Sequence, residues 1–85
     1  MKSVRVRPAA EWWIVEADGI TAPMIFRTGS SAEKAARQLA LACTRFDAGS
    51  VMEIETRGGR VYRFLCFLDG ANSTPRFIEL CGRSH

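Results

Sequence analysis

Few side chains in the chain could carry out acid–base, nucleophilic or metal chemistry. The only histidine is His85, the last residue, so no histidine is placed to activate a serine or cysteine nucleophile. Glu53 and Glu55 stand two positions apart beside several arginines, a pattern more typical of cross-strand ion pairs than of a catalytic carboxylate pair. Gly58-Gly59 lacks the flanking residues of a phosphate-binding loop. We therefore expect no enzyme activity, no catalytic residue and no cofactor.

The three cysteines, Cys43, Cys66 and Cys81, are separated by 23 and 15 positions. Zinc sites need closely spaced pairs of cysteine and histidine, so this spacing predicts no metal site. Cys43 and Cys66 fall on predicted apolar faces, where a buried and unreactive thiol is the usual state. Cys81 is near the end of the last predicted strand and is the candidate for an intermolecular disulfide.

Positive charge is the other feature that could support binding. The 85-residue chain has 12 Lys and Arg against 9 Asp and Glu, a net charge of +3, and ten of the twelve cations are arginine. Arginine suits carboxylates, phosphates and protein interfaces. The candidate partner-binding residues lie on a predicted helix and around a predicted hairpin: Lys34, Arg37, Gln38, Arg57, Arg60 and Arg63. A solvated, salt-bridged surface is the alternative, and so small a charge excess does not separate a protein partner from nucleic acid.

The periodicity of the apolar residues predicts the elements that position these side chains. A capping box, Ser30 with Glu33, starts a helix whose apolar stripe runs through residues 32–46. Alternating or β-branched segments predict strands at 12–15, 20–27, 50–56, 61–68 and 75–81. The order β-β-α-β-β-β predicts an α+β fold, in which an antiparallel sheet of four to five strands carries one helix packed on one face. We expect a single domain over residues 1–85, with an N-terminal arm at 1–9 and a frayed tail at 82–85.

A single helix covers only one face of such a sheet. Leu65, Phe67 and one of the two adjacent tryptophans, Trp12 and Trp13, must then point to the other face, beside Arg63. Aromatic and aliphatic side chains next to an arginine are typical of the core of a protein interface. The alternative is that the strand twists and buries both of its faces locally.

Two segments resemble a known family. Residues 49–56 (GSVMEIET) and 32–40 (AEKAARQLA), with the later Asp69-Gly70 turn, resemble small phage anti-CRISPR proteins that bind the backbone subunits of a type I Cascade surveillance complex. The resemblance spans about residues 10–80 and implies one helix against an antiparallel sheet. It also implies a non-enzymatic inhibitor, in the cytoplasm of a bacterial host, that binds Cascade and blocks target DNA recognition by occlusion.

Within that resemblance, Lys34, Arg37 and Gln38 match the helix positions that the family uses for contact. The chain departs from the family by a longer N-terminal arm, a longer helix and an extended final hairpin. These departures leave the Cascade subtype open.

A second resemblance leads to a different class of protein. The Trp-bearing strand, the Ala/Arg helix and the Gly58-Gly59-Arg60 hairpin are similar to small bacterial two-layer domains of unknown function. Such a domain would bind nucleic acid directly, or form a homodimer through its uncovered sheet face. The N-terminal sequence lacks the apolar core of a signal peptide, and no apolar run approaches the ~18–20 residues that cross a bilayer. We therefore expect a cytoplasmic protein with no membrane partner.

Overall fold

The computed structural model describes residues 2–46, 49–70 and 74–80, which form six strands and one helix. In chain order the elements are β1 (Lys2–Ala9), β2 (Trp12–Ala17), β3 (Met24–Phe26), α1 (Gly29–Phe46), β4 (Ser50–Glu55), β5 (Val61–Asp69) and β6 (Thr74–Leu80). The predicted α+β class is confirmed. The predicted sheet of four to five antiparallel strands is wrong, because the sheet has six strands and includes one parallel pair.

The additional strand is β1, which occupies the segment predicted as an N-terminal arm. Its sequence, KSVRVRPA, alternates with period two, as a half-buried strand does. Val4 and Val6 are fully buried, whereas Arg5 and Arg7 are exposed on the opposite face. β1 lies in the middle of the sheet, whose strand order is β3-β2-β1-β4-β5-β6. The arm prediction is therefore wrong, and this segment contributes to the core.

The sheet consists of two antiparallel halves that join along a parallel pair. β1, β2 and β3 form one half, β4, β5 and β6 form the other, and β1 runs parallel to β4. Parallel neighbours need a crossover connection, and α1 supplies it across one face of the sheet. The register places Val4 beside Met52 and Val6 beside Ile54, so the two central strands present their apolar residues to the helix.

The helix begins earlier than its predicted cap. Thr28 Oγ1 accepts a hydrogen bond from the Ser31 backbone N–H at 3.1 Å, so Thr28 is the N-cap. The predicted capping box of Ser30 with Glu33 is wrong, because Ser30 already lies inside α1.

The buried stripe of the helix is made of small residues four positions apart. Ala32, Ala36 and Ala40 are completely buried, and Thr44 continues the stripe. Alanine has no side chain beyond Cβ, so the helix axis can approach the sheet closely. Cys43, predicted to be buried, lies half-exposed beside this stripe, whereas Cys66 of β5 is buried as predicted.

Turns fix the ends of several strands. The predicted strand at 20–27 shortens to β3, and Pro23, which cannot donate a ladder hydrogen bond, directly precedes it. The predicted hairpin between β4 and β5 is confirmed, with Gly59 in the left-handed region at φ +91°. Cys81 and the tail at 82–85 lie outside the described residues.

Candidate binding surface

The face of the sheet opposite α1 carries no second layer in the described part of the chain. We call it the open face and define it by the strand residues that point away from the helix. These residues are Ser3, Arg5, Arg7, Ala9, Trp12, Ile14, Glu16, Ile25, Val51, Glu53, Glu55, Val61, Arg63, Leu65, Phe67, Asp69, Thr74, Arg76, Ile78 and Leu80. The expectation that Leu65, Phe67 and one tryptophan lie on this face is confirmed, and Trp12 is that tryptophan.

A row of alternating charge crosses the centre of the open face. Glu16, Arg5, Glu53 and Arg63 are direct partners on the neighbouring strands β2, β1, β4 and β5. Arg63 Nε donates to Glu53 Oε2 at 2.7 Å. The prediction of cross-strand charge pairing is therefore confirmed for Glu53, whereas the cross-strand partner of Glu55 is Val61.

Arg7 forms a second ion pair in this region. Its Nε donates to Glu16 Oε1 at 3.1 Å, and Nη2 lies 3.4 Å from Oε2. The hydrogen bond from Arg7 lowers the pKa of the Glu16 carboxyl below its usual range, because it favours the charged form. The same hydrogen bond raises the pKa of Arg7. Arg5 and Arg7 both lie on β1, the segment predicted to be an N-terminal arm.

Apolar side chains flank the charged row on both sides. On β5 and β6, Val61 and Ile78 are each 48% exposed and Leu80 is 38% exposed, next to the half-buried Leu65 and Phe67. At the opposite edge, Ile25 of β3 is 62% exposed and Trp12 is 42% exposed. Exposed apolar residues beside paired charges are the composition of a protein interface, with an apolar core and a polar surround.

The predicted binding residue Arg57 has a structural role. Its two terminal nitrogens donate to the carbonyl oxygens of Ala10 at 2.7 Å and Trp12 at 3.2 Å, and its guanidinium lies 4.9 Å from the centroid of the Trp13 ring. Ala10 adopts a left-handed backbone at φ 48° in the same turn. Arg57 therefore ties the β4–β5 hairpin to the turn between β1 and β2.

The other predicted residues are divided among different surfaces. Arg63 lies on the open face, and Arg60 is exposed at the tip of the β4–β5 hairpin. Lys34 and Gln38 are exposed one turn apart on the outer side of α1. Arg37 lies on α1, where its Nη2 is 3.6 Å from Glu33 Oε2. Its guanidinium is 5.2 Å from the centroid of the Phe77 ring on β6. The structure does not bring the six residues together into one patch.

Two other features of the described residues bear on a metal or ligand site. No group of three metal-ligating side chains occurs among residues 2–46, 49–70 and 74–80. A shallow pocket of about 350 Å³ lies beside the C-terminal half of α1 and is lined by Leu41, Arg45, Leu68 and Pro75. The described residues of this lining are one cation and three apolar residues.

Comparison with known proteins gives no family: no family model, no curated protein and no solved structure matches this chain. Within the part of the chain that the structure describes, no helix has the length and apolar character needed to span a membrane. The site must therefore be interpreted from its own geometry.

Proposed function

We propose that this chain is a non-enzymatic binding domain that acts through protein–protein contact, with the open face as its main contact surface. The observation that supports this proposal is the combination of exposed apolar side chains and paired charges on a sheet face without a covering layer. Monomeric proteins rarely leave a large contiguous apolar patch in water unless something binds it.

The balance of charge on the open face favours a protein over nucleic acid. Four arginines and four acidic residues share the face, and three of the arginines lie in ion pairs at 2.7, 3.1 and 3.8 Å. Nucleic-acid surfaces instead gather cations that neutralise phosphates. We expect no measurable affinity for bare DNA or RNA at physiological salt. Strong binding to a DNA duplex that falls steeply with rising salt would contradict the proposal.

The sequence resemblance suggests a particular partner, a subunit of a type I Cascade complex, whose target recognition the chain would block by occlusion. Lys34 and Gln38 are accessible for such a contact because both are exposed on the outer side of α1, and Arg60 is exposed at the hairpin. These three residues are the ones that we assign to this narrower proposal, and they form a second contact surface, separate from the open face. Arg57 is not among them, since its guanidinium is already bonded to two carbonyl oxygens.

Co-elution of the purified chain with type I Cascade complexes of several subtypes tests the narrower proposal. We expect a stable complex, weakened about tenfold or more by Lys34→Glu. Lys2→Glu is the matched control, because it makes the same charge change at an exposed residue outside the helix. Absence of a complex with every subtype, together with unimpaired interference in cells, would remove Cascade as the partner.

A further inference from the structure

We infer that the open face binds a second copy of this chain, in a two-fold dimer whose two sheets pack face to face between two outer helices. The inference rests on the proposed function, protein contact through the open face, and it names the partner. Three observations support it: the pattern of charge, the position of the exposed apolar residues and the size of the face.

The charge pattern is self-complementary. In a two-fold interface the same patch occurs on both sides, so it must carry both signs of charge if charged residues are to meet partners. The central row alternates, with Glu16 and Glu53 on either side of Arg5, and Arg63 next to Glu53. Such a row can place arginines of one copy opposite glutamates of the other. A face built for a strongly acidic partner would not set glutamates between its arginines.

The apolar residues are placed where a dimer core is needed. Leu65 of β5 and Ile78 of β6 are direct cross-strand partners, and Val61, Phe67 and Leu80 lie around them on the same face. Ile78 and Val61 are each 48% exposed, so about half of each side chain is available for burial. Two such strips brought together would form an apolar core beside the row of alternating charge.

The size of the face suits a dimer. The molecule measures 42 × 33 × 19 Å, and this two-layer fold is thinnest across its layers. A face of these two longer dimensions can bury the roughly 800 Å² per partner that a stable interface needs. The fully buried side chains of one copy are mainly small, since Met52 is the largest of them. A second sheet packed about 10 Å away would therefore add a large apolar layer to a thin core.

Sedimentation equilibrium of the full chain from about 1 to 100 µM tests the inference over the range typical of weak to moderate dimers. We expect twice the 9.4 kDa mass of one chain at the upper end. Ile78→Asp should weaken association about tenfold or more, since it buries a charge in the apolar strip. Ile20→Asp is the matched control, because Ile20 is 41% exposed in the loop after β2, off the open face, and it should leave association unchanged.

Several results would overturn the inference. One is that the wild-type chain stays monomeric at the highest concentration. Another is that the Ile78→Asp variant associates as strongly as the wild type. Val61→Asp repeats the test at the same exposure if Ile78→Asp fails to fold, as judged by circular dichroism. X-ray scattering distinguishes the geometry of the dimer, and we expect a particle in which the two sheets are stacked face to face. An elongated particle would mean that the two sheets pair through their β6 edges, and this result would also overturn the inference.

The outcome separates the dimer from the proposed function. A monomeric wild type whose Cascade binding is lost on Ile78→Asp but kept on Lys34→Glu would overturn the dimer. It would move the Cascade contact from α1 to the open face and keep that face as a surface for a different protein. A wild-type dimer that is disrupted by Ile78→Asp would support the inference whether or not Cascade binds.

Discussion

At the residue scale, the predicted contact residues divide into Arg57, which holds the fold together, and residues that face solvent. Arg57 reaches two backbone carbonyls of a turn 45 and 47 positions away in the sequence, whereas Lys34 and Gln38 extend from the outer side of α1. The sequence predicts partner contact for all three residues, because a polar side chain on a helix or hairpin gives no sign of the group that it will contact. The acceptors of Arg57 are backbone oxygens, which leave no signature in a sequence.

Arg57→Ala should therefore destabilise the fold and not merely change a surface charge. Loss of two charge-assisted hydrogen bonds and of the contact with Trp13 should lower the free energy of unfolding by about 1–2 kcal/mol. Arg57→Lys should recover little of this loss, because one ammonium group cannot reproduce the planar fork that spans the two carbonyls. Urea unfolding measures the effect, and Arg60→Ala at the exposed hairpin tip is the control, expected to change stability little. An Arg57→Lys variant as stable as the wild type would contradict this role.

The ion pair between Arg7 and Glu16 predicts a dependence on pH. The folded-state pKa of Glu16 lies below its unfolded value, so the pair stabilises the fold above the unfolded pKa, near 4.5, and this stabilisation is lost as the pH falls through the folded pKa. NMR titration of the Glu16 carboxyl should give a midpoint below 4.5. Arg7→Ala should raise that midpoint towards the ordinary value. A Glu16 midpoint that does not move on Arg7→Ala would show that another group causes the shift.

At the element scale, a small buried polar cluster fixes the end of α1 against the sheet. Thr44 Oγ1 lies 2.7 Å and Ser50 Oγ 2.9 Å from the Ala40 carbonyl oxygen, and the two hydroxyls are 3.1 Å apart. Each hydroxyl has one proton, so it donates either to the carbonyl or to the other hydroxyl. Both side chains are buried, and Cys66 Sγ lies 3.4 Å from Thr44 Oγ1. This cluster sets where β4 begins relative to the last turn of the helix. No local sequence pattern predicts it.

A double-mutant cycle tests that cluster. Thr44→Val and Ser50→Ala should each lower the free energy of unfolding by about 1 kcal/mol, the usual net value of a buried hydrogen bond. The double variant should lose less than the sum, by about 0.5 kcal/mol or more, because the two hydroxyls touch each other and share the Ala40 carbonyl, so each single variant already disturbs the hydrogen bonding of the other residue. Thermal or urea unfolding gives all four stabilities. Strictly additive losses would mean that the two hydroxyls act independently.

At the scale of the whole molecule, the described residues leave one face of the six-stranded sheet without a helix. Among these residues, the fully buried hydrophobic side chains belong to the layer between α1 and the sheet. If the open face binds a second copy, association and folding are linked by mass action.

Thermal unfolding should therefore depend on protein concentration. The Tm of the wild type should rise by several degrees between about 1 and 100 µM, because the dimer forms only from folded chains. Ile78→Asp should remove this dependence, whereas Ile20→Asp should keep it. Scanning calorimetry or circular dichroism at the two concentrations measures the shift. A wild-type Tm independent of concentration across this range would argue against a folded dimer.

The secondary-structure pattern of the second half of the chain could be predicted from sequence. The alternation in β4 and β5 placed Met52 and Ile54 on one face and Glu53 on the other, and Gly58-Gly59 marked the hairpin between them. The apolar stripe of α1 was predicted in part: Ala32 and Ala36 are buried as expected, whereas the buried Ala40 and Thr44 were not in the predicted stripe. Such local signals depend only on the periods of strand and helix, which a single sequence contains.

By itself, then, the sequence determined the α+β class, the helix with its small-residue face and the strand pairing across the β4–β5 hairpin. Only the tertiary structure decided that the first strand lies at the centre of the sheet, parallel to β4, and that Arg5 and Arg7 therefore join the open face. The physical reason is that parallel pairing joins segments almost fifty residues apart, as in Lys2 with Ser50, through contacts that no local pattern records. The same long-range pairing assembles the row of alternating charge from four strands, so the candidate surface exists only once the chain has folded.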